Sequence, residues 1–180
     1  MARCIVRLRL KTLGGAVQLA GSKQTIIVMS KPASTTVSKY RTQAYHKYWL
    51  KITAIVVGSF GPVFFLGTMA ATAEPARFTL DLLSWPLDGA TTYTSPDTQF
   101  LSALTGGFLL GWGVMIWLLS AWVYDKAPEP VRRTVLIGVL CWFVLDSSGS
   151  IASGNPSNAL FNILVLLLAV GPLWRPALAK

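Results

Sequence analysis

Charged residues are scarce in this chain of 180 residues, at 13% against 53% hydrophobic residues. Soluble domains carry about 25% charged residues, and disordered chains carry few apolar ones, so the composition argues against both classes. Two cysteines, Cys4 and Cys141, are too few for a disulfide scaffold. They are also expected at different depths and in different compartments, which argues against a metal pair.

Four long runs that are almost free of charge account for the apolar content. They cover residues 52–73, 100–124, 134–152 and 157–174. A helix rises about 1.5 Å per residue, so each run is long enough to cross a hydrocarbon layer of about 30 Å. The runs lack the alternation of transmembrane β-strands and the charged faces of a soluble bundle. The sequence therefore predicts an all-α membrane protein whose four transmembrane helices lie within residues 47–176.

Basic residues are distributed unevenly among the segments that join these runs. Residues 1–51 hold ten of them, 125–133 three and 175–180 two, whereas 74–99 hold one basic residue and four acids. Because positive loops stay on the cytoplasmic side, both termini are predicted to be cytoplasmic. The charge near residues 39–51 favours anionic lipid headgroups as a partner over nucleic acid, since no motif of stacking aromatics accompanies it.

The first 46 residues are predicted to be a basic, polar tail without regular structure. Gly14 and Gly15 interrupt its apolar stretch, whereas a secretory signal needs about 7–15 uninterrupted apolar residues. For residues 1–28, the alternatives are an organelle presequence and a translation start at Met29, of which the second is favoured. Residues 177–180 are predicted to be a short tail.

The loop 74–99 is predicted to contain a short helix of its own. Its apolar residues recur at intervals of four and three residues: Phe78, Leu82 and Trp85. Pro75 and Pro86 are placed to start and to stop this helix. Arg77 and Asp81 are expected on its polar side. We expect the helix to lie in the outer membrane interface, either as a connector or as a lid over the bundle.

Small residues line one side of the second predicted span. Ala103, Gly107 and Gly111 recur at intervals of four residues, a spacing that lets two helix backbones approach closely in lipid. Two interpretations remain open at this point. The three residues pack within the bundle of one chain, or Gly107 and Gly111 form a homodimer interface.

Asp146 is the one acid inside a predicted span. A charged carboxylate at a helix centre costs about 2.5–3.5 kcal/mol, so Asp146 is expected to face the bundle. Helix geometry places it at nearly the same depth as Asn162, about 10 Å below the outer surface. Asn158, Ser150 and Thr105 are expected to complete a polar patch. This patch is interpreted as a clasp between helices or as a small binding or proton-accepting site.

Motifs for nucleophilic catalysis or for nucleotide binding are missing from the sequence. The single histidine, His46, is expected to act as an interfacial anchor, and no cofactor or metal is expected. The leading hypothesis is a non-enzymatic membrane protein that acts by association, as an accessory subunit or as a self-associating helix bundle. The alternative is a small-molecule or proton-coupled carrier or binder that uses the polar patch around Asp146.

Several short sequence features follow one another between residues 50 and 174. They are Glu74-Pro75, then Leu82-Leu83-Ser84-Trp85-Pro86, then the glycines at 106, 107, 111 and 113. This order resembles that of small, uncharacterised four-helix proteins of the bacterial inner membrane. The resemblance implies a multi-pass protein of the bacterial cytoplasmic membrane and carries no activity.

Overall fold

The computed structural model describes residues 11–13, 16–18, 28–29 and 33–177. Cys4 and most of the segment on which the choice between Met1 and Met29 depends lie outside the described residues. The chain divides into two compact units, residues 1–40 and residues 41–180.

Three short antiparallel strands form in the first unit: β1 (Lys11–Leu13), β2 (Ala16–Gln18) and β3 (Val28–Met29). The middle strand β2 pairs with both others. The sequence between β1 and β2 is Gly-Gly, a dipeptide typical of tight hairpins. The prediction that the first 46 residues lack regular structure is therefore wrong for these strands. It is also wrong from Ala33 onward, where the first helix begins.

Helices make up most of the remaining described chain: α1 (Ala33–Leu66), α2 (Glu74–Ser84), α3 (Pro96–Leu118), α4 (Pro128–Ala152) and α5 (Pro156–Val170). A π-helical turn over Leu119–Val123 prolongs α3. A 3-10 turn over Gly171–Trp174 prolongs α5, and another covers Ala70–Thr72.

Four helical stretches within the described residues are long and apolar enough to cross a membrane: Arg41–Leu66, Pro96–Val123, Pro128–Ala152 and Pro156–Trp174. Large apolar side chains cover their outer surfaces; Phe108 is 76% exposed, Leu145 75% and Leu164 63%. Such a belt is costly in water and is the ordinary surface of a protein in lipid. The predicted four-helix membrane architecture is confirmed at the level of helix length and composition.

The predicted bounds of three spans differ from the helices. The first span was expected to reach residue 73, but α1 ends at Leu66. The backbone of Gly67 packs closely there, because a Cβ on it would lie 2.7 Å from Ala76 Cβ. The second and third spans begin earlier than predicted, at Pro96 and Pro128, because proline suits the first turn of a helix.

Two pairs of glycines bring the backbones of α1 and α3 together. A Cβ on Gly113 would lie 2.6 Å from the Cα of Gly58, and a Cβ on Gly106 would lie 2.8 Å from the carbonyl oxygen of Gly61. Lipid supplies no hydrophobic force between helices, so this close approach lets van der Waals contacts hold them together.

Two buried clusters mark the opposite ends of the bundle. At the basic end, where residues 41–50, 119–133 and 171–177 meet, the cluster includes Leu50, Ile116, Tyr124, Val135 and Leu173. At the loop end, formed by residues 67–95 and 153–158 with the neighbouring helix ends, the cluster comprises Phe64, Ala76 and Tyr93. Ser102 of α3 joins α1 there, because its hydroxyl contacts the carbonyl oxygen of Phe64 at 2.5 Å.

The loop helix α2 begins and ends close to the two prolines that predicted it. Phe78 and Trp85 of the apolar stripe are 51% and 61% exposed. Arg77 donates hydrogen bonds to the carboxylate of Glu74, and these bonds lower the pKa of that carboxyl.

Asp81 was expected on the polar side of α2, and its burial was not predicted. Asp81 is buried, and its carboxylate accepts hydrogen bonds from the backbone N–H of Gly89 and the hydroxyl of Thr91, both at 3.0 Å. A carboxylate can be buried when N–H and O–H donors replace its water. Asp81 therefore ties the loop that follows α2 back onto the helix.

Candidate functional site

The short turn between α4 and α5 aligns the polar residues of the two helices. Gly154 adopts a φ of +82° in this turn, a conformation that glycine reaches without strain. Pro156 then starts α5. Short connections make neighbouring helices antiparallel, so residues equally far from the turn come to equal depth. Asp146 and Asn162 each lie eight residues from Gly154.

Asp146 is the central acceptor of this polar cluster. Its Oδ2 accepts hydrogen bonds from Nδ2 of Asn162 at 2.6 Å and from Nδ2 of Asn158 at 3.1 Å. The same amides also donate to hydroxyl oxygens, Asn162 to Ser147 at 3.1 Å and Asn158 to Ser150 at 2.7 Å. Asn162 is buried and the other members are half-buried. The cluster therefore joins α4 to α5 through side-chain hydrogen bonds.

Four of the five residues expected in the polar patch come together, and Thr105 does not. The hydroxyl of Thr105 is exposed and donates to the carbonyl oxygen of Leu101 on its own helix at 2.8 Å. Placing Thr105 in the patch is therefore wrong, because α3 packs against α1 through the neighbouring residue Gly106. Ser147 takes part instead. Ser147 precedes Ser150 by three residues and so lies on the same helix face. This spacing could have predicted that Ser147 belongs to the cluster.

A cavity of about 810 Å³ lies beside the cluster. Ser147 lines it, and Trp85, Phe143, Leu160 and Ile163 supply apolar walls. The hydroxyl of Ser157 donates to the carbonyl oxygen of Leu83 at 2.6 Å and so holds α2 against α5 at the cavity edge. The arrangement suits an apolar molecule with one polar group.

We expect Asp146→Asn to retain the stability of the wild type in detergent and Asp146→Leu to lose about 1–3 kcal/mol, because two intramembrane hydrogen bonds of about 0.6–1.7 kcal/mol each disappear. Asparagine keeps an acceptor oxygen, whereas leucine leaves the buried amide of Asn162 without its closest acceptor. Thermal unfolding followed by circular dichroism measures the difference. Ser148→Leu, at an exposed position of the same helix, is the control. Equal stability of all four proteins would remove Asp146 from a clasp role.

A second polar cluster, at the basic end, was not predicted from the sequence. Arg132 donates two hydrogen bonds to the carboxylate of Glu129, at 2.6 and 2.8 Å, and a third to the carbonyl oxygen of Leu173 at 2.6 Å. Glu129 also accepts from Arg133 at 2.8 Å and from the backbone N–H of Ala177 at 3.0 Å. The spacing of Glu129 from the two arginines, three and four residues, was the available signal.

Side chains from α1 contact carbonyl groups in the last turn of α5 and in the 3-10 turn that follows it. Trp49 donates its indole N–H to Leu168 at 2.7 Å, and Nε2 of His46 lies 2.9 Å from the carbonyl oxygen of Pro172. The last carbonyls of a helix have no partner within the helix and need one when they are buried. His46 is buried, so its contact with Pro172 is that of a structural residue inside the bundle.

Gly107 and Gly111 face away from the bundle. Both are exposed, and among the described residues a Cβ on either would meet no heavy atom within 4 Å apart from the neighbouring backbone of its own helix. Ala103 is half-buried. The interpretation that Gly107 and Gly111 pack within the bundle is therefore wrong, since Gly106 and Gly113 form that contact. The homodimer interpretation remains.

Within the described residues, no group of three or more His, Cys, Asp or Glu side chains is placed to hold a metal ion. Comparisons of the chain with protein-family models, with curated proteins and with solved structures find no match.

Proposed function

We propose that this chain is a non-enzymatic integral membrane protein that acts by self-association through the outward face of α3. The observation that carries the proposal is the exposed pair Gly107 and Gly111, with open space where side chains would stand. A glycine in a helix costs about 1 kcal/mol relative to alanine, so two of them on an otherwise regular helix face need a compensating contact. The described residues of one chain supply none at these positions.

A shallow groove of about 330 Å³ continues the same face of α3. Gly111 lines it together with Val114, Met115, Leu118 and Trp122. Trp122 is 68% exposed. Its large side chain and the small Gly111 form a groove into which a row of side chains from another helix can pack. The groove therefore extends the proposed interface from the glycines toward the basic end.

A second copy of the chain is the partner that fits this face best. Two glycines one turn apart allow two identical helices to cross with their backbones in contact. A twofold axis lets the same patch serve both copies, so no second surface is required. A different membrane subunit that presents its own small residues is the competing partner.

We expect the wild type to be a dimer in mild detergent and the variant Gly107→Ile/Gly111→Ile to be a monomer, with dimer affinity reduced by roughly tenfold or more. Size-exclusion chromatography with light scattering measures the protein mass. Gly138→Ile/Gly149→Ile is the matched control, because both positions lie on α4, are exposed and have open space around them. The control is expected to remain a dimer.

Three outcomes contradict self-association: a monomeric wild type, a dimer that survives the α3 substitutions, or equal dissociation of the control. Thermal unfolding of each variant checks that the fold is retained. Mass spectrometry of proteins pulled down from the same detergent separates the two kinds of partner. A stoichiometric foreign subunit would replace self-association with the role of an accessory subunit.

The orientation is part of the same proposal. We propose that both termini lie in the cytoplasm of a bacterium and that α2 lies in the outer interface of the inner membrane. The support is the charge distribution, in which the 26 residues of the loop 74–99 hold one basic residue of the sixteen. The exposed Phe78 and Trp85 of α2 fit a helix that lies along a lipid surface.

A second candidate function is binding of a small molecule beside Asp146. The cavity of about 810 Å³ favours it, because Ser147 belongs to both the cavity and the polar cluster. Mass spectrometry of the purified protein should then find a retained lipid or metabolite. That molecule should be lost in Asp146→Leu and kept in Gly107→Ile/Gly111→Ile.

A further inference from the structure

A cavity of about 880 Å³ opens at the basic end of the bundle. It lies between the first turns of the α1 span, Arg41 to Trp49, and the segment 171–175 that follows α5. Its lining includes Arg41 and Arg175 and contains no acidic residue. Two positive charges therefore face a space to which the described lining residues contribute no negative charge.

The two cavity arginines differ from the other arginines of the described residues. Arg77, Arg132 and Arg133 each form an ion pair with a glutamate. Arg41 and Arg175 are exposed and have no ion pair or hydrogen bond from their guanidinium groups to another described residue. Their donors are therefore available for an anion from outside the bundle.

The walls of the cavity are held in place by contacts within the bundle. Trp49 is anchored by its hydrogen bond to Leu168, and its indole lies so close to Gly171 that a Cβ there would be 2.6 Å from Nε1. His46 is held by Pro172. The ring of Tyr45 lies 6.1 Å from that of Trp49, between centroids, and so extends the aromatic wall. A preformed cavity loses less entropy on binding than one that must be ordered.

From these observations we infer that the cavity binds a negatively charged phosphate group, the chemistry shared by an anionic phospholipid headgroup and free inorganic phosphate. The guanidinium fork of arginine matches phosphate oxygens in two parallel hydrogen bonds. The cavity lies at the end of spanning helices, where lipid phosphates lie, and basic pockets between helices suit such headgroups. The cavity also contains Tyr45 and Trp49, and tyrosine and tryptophan are enriched at the headgroup level of membranes.

The test measures binding of dioleoylphosphatidylglycerol to the full chain in a neutral detergent by native mass spectrometry. Dioleoylphosphatidylcholine, whose phosphate charge is balanced by its choline, is the lipid control. We expect Arg41→Gln/Arg175→Gln to weaken phosphatidylglycerol binding by roughly tenfold or more, since charge-assisted hydrogen bonds are lost. The matched control Lys126→Gln/Arg133→Gln removes two positive charges from the same end of the bundle, outside the cavity, and should change binding less than about twofold.

Competition with millimolar inorganic phosphate distinguishes the two sources of the ligand. If phosphatidylglycerol stays bound in the presence of inorganic phosphate, the cavity is a lipid site. If inorganic phosphate displaces the lipid, the cavity is a site for the free anion. The proposal is overturned when neither probe binds, when the cavity variant binds as the wild type does, or when the control variant loses as much affinity. Arg175→Gln alone provides a milder variant, and thermal unfolding shows that each protein is folded.

Discussion

Gly113→Ala is expected to destabilise the protein by about 2–3 kcal/mol, whereas Gly111→Ala, two residues away on the same helix, leaves it unchanged or stabilises it by up to about 1 kcal/mol. The added methyl group at Gly113 would lie 2.6 Å from the Cα of Gly58 and 2.7 Å from the carbonyl oxygen of Ala54. Both are backbone atoms, so α1 must move away from α3. The methyl group at Gly111 enters open space.

The two alanine variants are expected to change the free energy of unfolding differently, because the same substitution acts on opposite faces of one helix. Reversible unfolding in mixed micelles, followed by circular dichroism, gives the free energy of unfolding. It should be measured at a dilution where the protein is monomeric, so that the proposed dimer does not contribute. Gly106→Ala should behave as Gly113→Ala does, since its Cβ would lie 2.8 Å from the carbonyl oxygen of Gly61. Equal effects at Gly111 and Gly113 would contradict the described packing of α1 on α3.

Arg132→Met is expected to lower the free energy of unfolding by about 3–5 kcal/mol, the cost of removing one partner from a buried ion pair. The side chains of Arg132 and Glu129 are 10% and 13% exposed. Methionine removes both hydrogen bonds from Arg132 to Glu129 and the bond to Leu173, while the carboxylate remains buried. The same unfolding measurement detects the loss.

Arg133→Gln is the matched control for this substitution. Arg133 contacts the same carboxylate, but its side chain is 69% exposed, so it should lose less than about 1 kcal/mol. The loss for Arg132→Lys should lie between those for Arg132→Met and Arg133→Gln. A single ammonium group cannot form the two parallel hydrogen bonds of a guanidinium group and also reach Leu173. Similar losses for Arg132→Met and Arg133→Gln would contradict a buried pair that holds the ends of α4 and α5 together.

The number of spans and the presence of α2, which depend on composition and local spacing, were predicted correctly. The four spans follow from apolar runs whose length matches a bilayer, and α2 follows from an apolar stripe between Pro75 and Pro86. The meeting of Asp146 with Asn162 was expected as well. Helices joined by a short turn are antiparallel, so depth along one predicts depth along the other.

Features that depend on helix rotation were not predictable in the same way. The glycines of α3 at 106, 107, 111 and 113 cover more than one side of the helix, and their spacing favoured 107 and 111 as the packing pair. The spans are apolar on most sides, so no polar stripe indicates which side faces the bundle. For the same reason the depth of Thr105 was inferred, but the side on which it stands was not.

Side chains at the ends of the bundle were the hardest to place. Asp81 was expected on the polar side of α2, but its burial against two donors from the following loop was not predicted. Glu129 and Arg132 meet the backbone of residues 173–177, more than forty positions away in sequence. No local pattern contains information about contacts at that separation.

The number and order of the spanning helices were determined by the sequence, because a bilayer selects for apolar segments that are long enough to cross it, and each segment has these properties by itself. The tertiary structure alone decided which face of each helix packs, which glycines stay open for a partner, and which charges are paired. Those properties depend on atoms from distant segments, since close contacts and hydrogen bonds act over only a few ångströms.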